Sequence, residues 1–426
     1  MSVLKTAENQ FYNEFDRETL SPRKREDYRT PFQKDRDRII YSSGLRRLQA
    51  KTQVFLSGEY DFYRTRLTHS IEVMQIGRSI CHHLYHNASL LSETFYIDPD
   101  LVEAVCFAHD LGHPPFGHSG ESTLNRLMRE NGGFEGNAQT LRILTEIMYS
   151  TKEGRVGMNP TRALLDGVLK YKTLMSQWEH PEHHFLYDDQ KPYLDFVFAN
   201  RSFPDSLTPG DELNQFRSIE CQIMDWADDT AYSLNDIVDG VRARFITPDR
   251  LERWAGDHPL TKQQTEWVNG IIKAIEEGEV ERVFSRKIGE FINACGLQQR
   301  SNFMSDLTNR YALALVIEPT ALEEAHLYKI IAADIVFNSP QLQQLRFKWN
   351  YILEKLFAAF RDNYLDCEFP VTLLPEATHQ AVVHAEDPAR KMRLICDHVA
   401  GMTDDFAIRI YKRFFDPDYG SIVDLI

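Results

Sequence analysis

Apolar residues recur at helical spacing along most of this chain, and two of the apolar stripes end on a histidine. Val73, Ile76, Ile80 and Leu84 mark one stripe, and a step of four residues back from Val73 lands on His69. A second helix is expected where Asp98 can cap and Pro99 can fill the first turn; Val102, Val105 and His109 share its face before Gly112 and Pro114-Pro115 stop it. A third begins near Gly117 or His118 and carries Leu124, Leu127 and Met128. Residues 219–241 read as one long acidic helix, and amphipathic segments follow at 267–275, 283–294, 342–364 and 388–414. Strand-like alternation is scarce, and 149–160 and 178–212 read as loops. The expected fold class is therefore all-α.

Composition narrows the class of function. With 42% apolar and 26% charged residues in 426, the chain can bury a sizeable core, and collagen-like, coiled-coil and wholly disordered classes are excluded. The cysteines at 81, 106, 221, 295, 367 and 396 form no CxxC pair, which favours reduced thiols in a cytoplasm. The N-terminus lacks an apolar core of signal-peptide length, and apolar runs such as 311–317 are too short to span a bilayer, so no membrane association is expected. A net charge of −15 disfavours a surface that grips nucleic acid throughout. Between 21 and 53, however, Arg23, Lys24, Arg25, Arg29, Lys34, Arg36, Arg38, Arg46, Arg47 and Lys51 stand against Glu26, Asp27, Asp35 and Asp37. That basic island suits either one anionic ligand or a solvated helix laced with opposite charges.

The densest chemistry lies in Ala108-His109-Asp110-Leu111-Gly112-His113-Pro114-Pro115-Phe116-Gly117-His118-Ser119-Gly120-Glu121. Burying histidine and aspartate without partners is costly, so such a group normally coordinates a metal or does acid-base work. His69 ends one stripe, His109-Asp110 ends another, and Asp228 sits in the acidic helix. Adjacent residues such as His109 and Asp110 point about 100° apart on a helix, yet they can reach around two flanks of one ion. Two imidazoles and two carboxylates suit Mn, Fe, Co, Ni or Zn, with Mg as a further candidate. His118 and Glu121, three residues apart at a helix start, can meet, and the carboxylate would then fix the tautomer and raise the basicity of the imidazole. His113 can touch a phosphate or hold the proline turn. His180, His183 and His184, in a polar loop, read as solvated surface.

His69, then His109-Asp110, then a distant Asp228 resembles the H...HD...D pattern of the HD-domain metal-dependent phosphohydrolases. The likeness narrows through the blocks beginning at Pro31 and Leu45, Thr65-Arg66-Leu67-Thr68-His69-Ser70, the His109 to Glu121 block, Ala227-Asp228-Asp229-Thr230-Ala231-Tyr232 and Gly401-Met402-Thr403-Asp404. Together these look like the dGTPase-like deoxynucleoside triphosphate triphosphohydrolases. The resemblance implies an HD-domain helical core at 61–245, preceded by a basic segment at 1–60 and followed by a helical region at 246–426 that completes the same body. It implies His69, His109, Asp110 and Asp228 as ligands of one divalent metal, manganese among the candidates. Asp225 and Asp229 are rivals for the fourth place; Asp228 is preferred because Tyr232 and Asp236 stand four and eight residues later, as in the family pattern.

Catalysis falls to His118 and Glu121. The resemblance further implies that Gln53 meets the sugar, that Tyr232 and Asp236 line the sugar and phosphate side, and that Arg66, Lys170 and Tyr171 face the phosphates; His113, with its two roles open, is counted among the substrate-binding residues. Arg310-Tyr311 is a weaker match of that kind. Many relatives carry histidine after Phe-Glu where this chain has Gly136, so a third active-site imidazole is expected to be missing. The implied activity is hydrolysis of a dNTP, dGTP or dNTPs generally, to deoxynucleoside and inorganic triphosphate. The implied assembly is a homo-oligomer, a hexamer by resemblance, with a dNTP effector and single-stranded nucleic acid as further candidate partners. The rival readings are another HD phosphohydrolase, either a 5′-nucleotidase or a cyclic-nucleotide phosphodiesterase, and a nucleotide-sensing or single-strand-binding protein with secondary hydrolysis.

Overall fold

Helix starts follow local capping chemistry in the computed structural model, which describes residues 8–23, 28–54, 64–151, 154–178 and 182–420. Thr30 and Gln33 form a reciprocal capping box at the head of Pro31–Ile40. Asp98 Oδ1 accepts the Asp100 amide at 2.8 Å and starts Pro99–Ala108, as the Asp98-Pro99 pair foretells. Arg66–Asn87, Gly117–Met128 and Ile219–Arg242 complete the motif-bearing helices. The all-α expectation holds: two two-stranded antiparallel sheets are the strand structure among the described residues.

Several local expectations are corrected. The 149–160 segment contains a hairpin, Tyr149–Thr151 paired with Gly154–Val156, whose three-residue strands are exposed on both faces and so leave no alternation to read. The apolar run near 311–317 supplies the strand Leu313–Ile317, paired with Cys295–Gln299. Within 178–212 lies the helix Lys191–Val197, anchored by buried Leu194 and Val197. The 388–414 segment is two helices, Pro388–Ala400 and Asp404–Phe415: Gly401 closes the first, and Thr403 caps the second by accepting the Phe406 amide. The helix expected to reach His109 ends at Ala108.

The chain forms two units, each assembled from three stretches. The first comprises Met1–Arg17, Ile71–Cys106 and Ser218–Gln344. Its Ile219–Arg242 helix buries Ile219, Ile223, Trp226, Leu234 and Ile237. Gly77 permits close packing there, since a Cβ would lie 2.8 Å from Cys106 Sγ. Arg310 belongs to a buried polar network, its Nε donating to Glu220 Oε2 at 3.0 Å while Tyr12 donates to Glu220 Oε1 at 2.8 Å. That pairing makes Arg310 a structural cation, against the weak phosphate match.

The second unit comprises Glu18–Ser70, Phe107–Arg217 and Leu345–Ile426. Its apolar core joins Phe116, Leu124 and Met128 to Trp349, Leu353, Leu356, Ile395 and Val399. Phe116 and Trp349 stack with ring centroids 5.5 Å apart and planes within 4°. No helix among the described residues is long and apolar enough to cross a membrane, and none of the six cysteines, all of them described, is in a disulfide.

Candidate active site

The His109 to Glu121 block includes a turn that backbone packing makes unusually tight. A Cβ on Gly112 would stand 2.1 Å from the Gly136 carbonyl oxygen, so only glycine lets this turn lie against the Gly136–Arg142 helix. Thr140 Oγ1 accepts the Gly112 amide at 2.9 Å and donates to the His109 carbonyl at 3.2 Å. Held this way, His109, Asp110 and His113 are all buried. His69, in the first turn of Arg66–Asn87, is buried as well, and its ring centroid lies 5.6 Å from that of His109.

Asp110 is the electrostatic centre of this group. Its Oδ2 accepts from Arg66 Nη1 at 2.9 Å, and its Oδ1 lies 3.0 Å from His113 Nδ1 and 3.5 Å from His109 Nε2. Burial alone would raise its pKa, but His109, Arg66 and His113 together hold it well below the usual carboxylate range. Burial, reinforced by Arg66, lowers His113, which favours a neutral imidazole. Arg66 is 2% exposed, and its Nε and Nη2 have no hydrogen-bond partner among the described residues. Gln53 likewise keeps a buried Oε1 without a partner. Leaving buried polar groups unpaired costs about 1–3 kcal/mol each, so each of these atoms calls for a partner that the described residues do not supply.

The expected dyad is present. His118 Nδ1 lies 3.2 Å from Glu121 Oε2; the carboxylate is largely buried, whereas the imidazole side chain is 69% exposed. The other oxygen of Glu121 accepts the Gly136 amide at 2.7 Å. Burial raises Glu121, but the His118 hydrogen bond, the neighbouring His113 and His118 rings and this amide outweigh it and bring the carboxyl well below its ordinary value. Gly136 itself leaves little room for a side chain. A Cβ there would stand 2.9 Å from Glu121 Oε1 and 3.3 Å from His113 Cε1, so a larger residue would displace this arrangement.

His69 and His109 are buried with ring centroids 5.6 Å apart, and Asp110 Oδ1 lies 3.5 Å from His109 Nε2; imidazoles beside a carboxylate are donors of the kind a divalent transition ion takes. Asp228, Tyr232 and Asp236 belong to the first unit, on Ile219–Arg242. Asp228 and Tyr232 are half-buried, and Asp236 is buried. Asp229, a rival for the fourth ligand place, is engaged by Lys329 at 2.6 Å.

Lys170 and Tyr171 are placed together in the second unit, with Arg217 Nε donating to the Lys170 carbonyl at 3.1 Å. The Tyr171 ring stacks on His184 at 4.4 Å, so His184 is not the solvated residue expected from its loop; His180 lies outside the described residues. The basic island is largely consumed internally. Arg23 pairs with buried Asp35, Arg29 with Asp37 at 2.7 Å, and Arg38, Arg46, Arg47 and Lys51 donate to backbone carbonyls. Lys24 and Arg25 lie outside the described residues. The sequence reading passed over Glu135, whose carboxyl is pushed up to about 8 by burial and by Glu121. Its only signal was its place beside Gly136.

Residues 66–233 match the HD domain family and residues 315–413 the phosphohydrolase-associated domain family. A deoxyguanosinetriphosphate triphosphohydrolase-like protein of Shewanella loihica is 36% identical, covering 94% of this chain and 96% of its own length. One of the same description from Haemophilus influenzae (strain PittGG) is 34% identical over 92% of this chain and 94% of its own.

Proposed function

The chain belongs to the HD-domain family of deoxyguanosinetriphosphate triphosphohydrolase-like proteins, and from that premise we propose that it hydrolyses deoxynucleoside triphosphates, dGTP or dNTPs generally, to deoxynucleoside and inorganic triphosphate. Membership makes it a phosphohydrolase; the substrate and the bond cleaved are the proposal. The observation that carries it is Arg66, a buried guanidinium that donates from Nη1 to Asp110 while its Nε and Nη2 have no hydrogen-bond partner among the described residues. A fork of donors held in a dry site is suited to a phosphate oxygen pair.

His69, His109 and Asp110, with Asp228 as the proposed fourth ligand, would hold one divalent ion. When bound, such an ion supplies Lewis-acid polarisation of a phosphoryl oxygen and lowers the pKa of water. The chain's own residues do the rest. Arg66 and neutral His113 orient the phosphates, and Lys170 and Tyr171 extend that contact. Glu121 keeps the His118 Nδ1 proton, so Nε2 is the atom that exchanges a proton with the departing 5′ oxygen or the attacking water. Gln53, Tyr232 and Asp236 line the sugar. A homo-oligomeric assembly and a dNTP effector belong to the same proposal and rest on family likeness alone; a cytoplasmic location is proposed from the cysteine spacing, which forms no CxxC pair.

Product analysis is the test. Purified protein incubated with each dNTP and each of Mn, Co, Ni, Zn and Mg should release deoxynucleoside and triphosphate in equal amounts. Release of nucleoside monophosphate, or of orthophosphate from a monophosphate substrate, would instead assign a different phosphohydrolase reaction.

A further inference from the structure

The Gly401-Met402-Thr403-Asp404 block has no part in the chemistry so far, yet its aspartate lies deep in the second unit, 1% exposed. Asp404 accepts three hydrogen bonds. Oδ2 takes the Thr52 amide at 2.7 Å and the Thr52 hydroxyl at 2.5 Å, and Oδ1 takes the Phe116 amide at 2.8 Å. Both partners adjoin proposed site residues. Thr52 precedes Gln53 and bridges to Thr65, which precedes Arg66. Phe116 heads the helix that carries His118 and Glu121, and it does so in a left-handed conformation, φ 65°, followed by Gly117 at φ 59°.

A non-glycine residue stays left-handed only where its surroundings hold it. Here the holders are the Trp349 ring beneath the Phe116 side chain and the Asp404 carboxylate at its amide. The other end of the turn is gripped from the same segment: Lys51 Nζ donates to the His113 carbonyl at 2.5 Å and to the Ala400 carbonyl at 2.9 Å. Gly117 packs so closely that a Cβ would lie 3.1 Å from Arg66 Nη2 and 3.4 Å from the Thr52 carbonyl oxygen. The turn and the strand-like 51–53 segment are therefore fixed against each other, with Asp404 as the common acceptor.

We propose that Asp404 is a positioning residue for hydrolysis: one carboxylate sets the placement of the Gln53 and Arg66 binding groups relative to the His118–Glu121 dyad, and Lys51 fixes the His113 end of the same turn. This rests on the proposed role of the dyad. Asp404→Asn separates the two arms. An amide has one acceptor oxygen, and turning it to the two Thr52 donors leaves its NH2 facing the Phe116 amide. The Phe116 arm is released while the Thr52 arm survives.

Steady-state hydrolysis of dGTP with Mn2+, alongside melting temperature, reads the outcome in the full-length protein. Asp404→Asn should lower kcat by about 10²-fold, the scale of an ångström-sized misplacement, with KM within about threefold of the parent. Thr52→Val, which removes only the hydroxyl, should instead raise KM several-fold with kcat little changed, and Thr52→Ser should restore the parent value; this arm decides the matter if Asp404→Asn does not fold. Parent kcat and KM in the folded variants, whatever their melting temperatures, would reduce Asp404 to a structural residue and overturn the proposal. His118→Ala measured in parallel keeps the two readings apart. Full turnover in His118→Ala overturns the dyad and with it the route by which Asp404 acts, whereas an impaired His118→Ala beside an unimpaired Asp404→Asn overturns Asp404 alone.

Discussion

Arg66 Nη1 donates to Asp110 Oδ2 at 2.9 Å, and both side chains are almost fully buried. Removing one partner of such a pair leaves an uncompensated buried charge, so Arg66→Ala should lose about 3–5 kcal/mol of stability, read from denaturant midpoints. Arg66→Lys keeps the charge but not the fork of donors. It should hold most of the fold while raising KM for dGTP about tenfold, or about 1.4 kcal/mol. An unchanged KM in a folded Arg66→Lys variant would remove Arg66 from phosphate binding.

Metal content separates ligands from neighbours. His109→Ala and Asp228→Ala should each lose bound metal and hydrolysis together, whereas Asp225→Ala should spare both; elemental analysis of the purified variants reads the first and dGTP turnover the second. Metal lost from Asp225→Ala but retained in Asp228→Ala would shift the ligand register on Ile219–Arg242.

His118→Ala should leave metal and dNTP binding nearly intact while turnover falls by roughly 10² to 10⁴, the usual worth of a positioned acid-base group. Glu121→Gln should cost less. The double variant should cost little more than His118→Ala alone, because the two act as one unit. Single-turnover rates with melting temperatures distinguish this from a simple helix-start pair, which would change stability and not rate.

Stability should carry the signature of Glu135. Its folded pKa is raised from 4.5 to about 8 by burial and by Glu121. Between those values the folded chain binds more protons than the unfolded chain, so this group makes stability fall as pH rises through that window. Glu135→Gln keeps an acceptor for the Ala138 amide and removes the titration. Urea midpoints at pH 5 and pH 8 should therefore differ less in the variant than in the parent; an identical difference would assign the pH dependence to other groups.

Sugar selectivity is a separate arm. A packed pocket rejects a 2′-hydroxyl by sterics and by leaving it unpaired, so Tyr232→Ala should relax discrimination of dNTP from rNTP more than it lowers metal content. Equal hydrolysis of dNTP and rNTP by the parent would defeat the assignment of Gln53, Tyr232 and Asp236 to the sugar.

The sequence by itself determined the helices and the catalytic block, because both are local. A stripe such as Val73, Ile76, Ile80 and Leu84, a cap such as Asp98-Pro99, and the three-residue step from His118 to Glu121 are set by a repeat of 3.6 residues and need no distant partner. Only the tertiary structure decided which charges are spent on partners inside the fold. Arg66 and Arg310 both looked like phosphate contacts, yet Arg310 donates to buried Glu220, whereas Arg66 Nε and Nη2 have no hydrogen-bond partner among the described residues. It likewise decided that the Gly136 amide supports Glu121, and that Asp404 is bonded to Thr52 and Phe116 across 352 and 288 residues of chain. Desolvation and hydrogen-bond geometry depend on what the fold brings within 3 Å, and no spacing along the sequence encodes that distance.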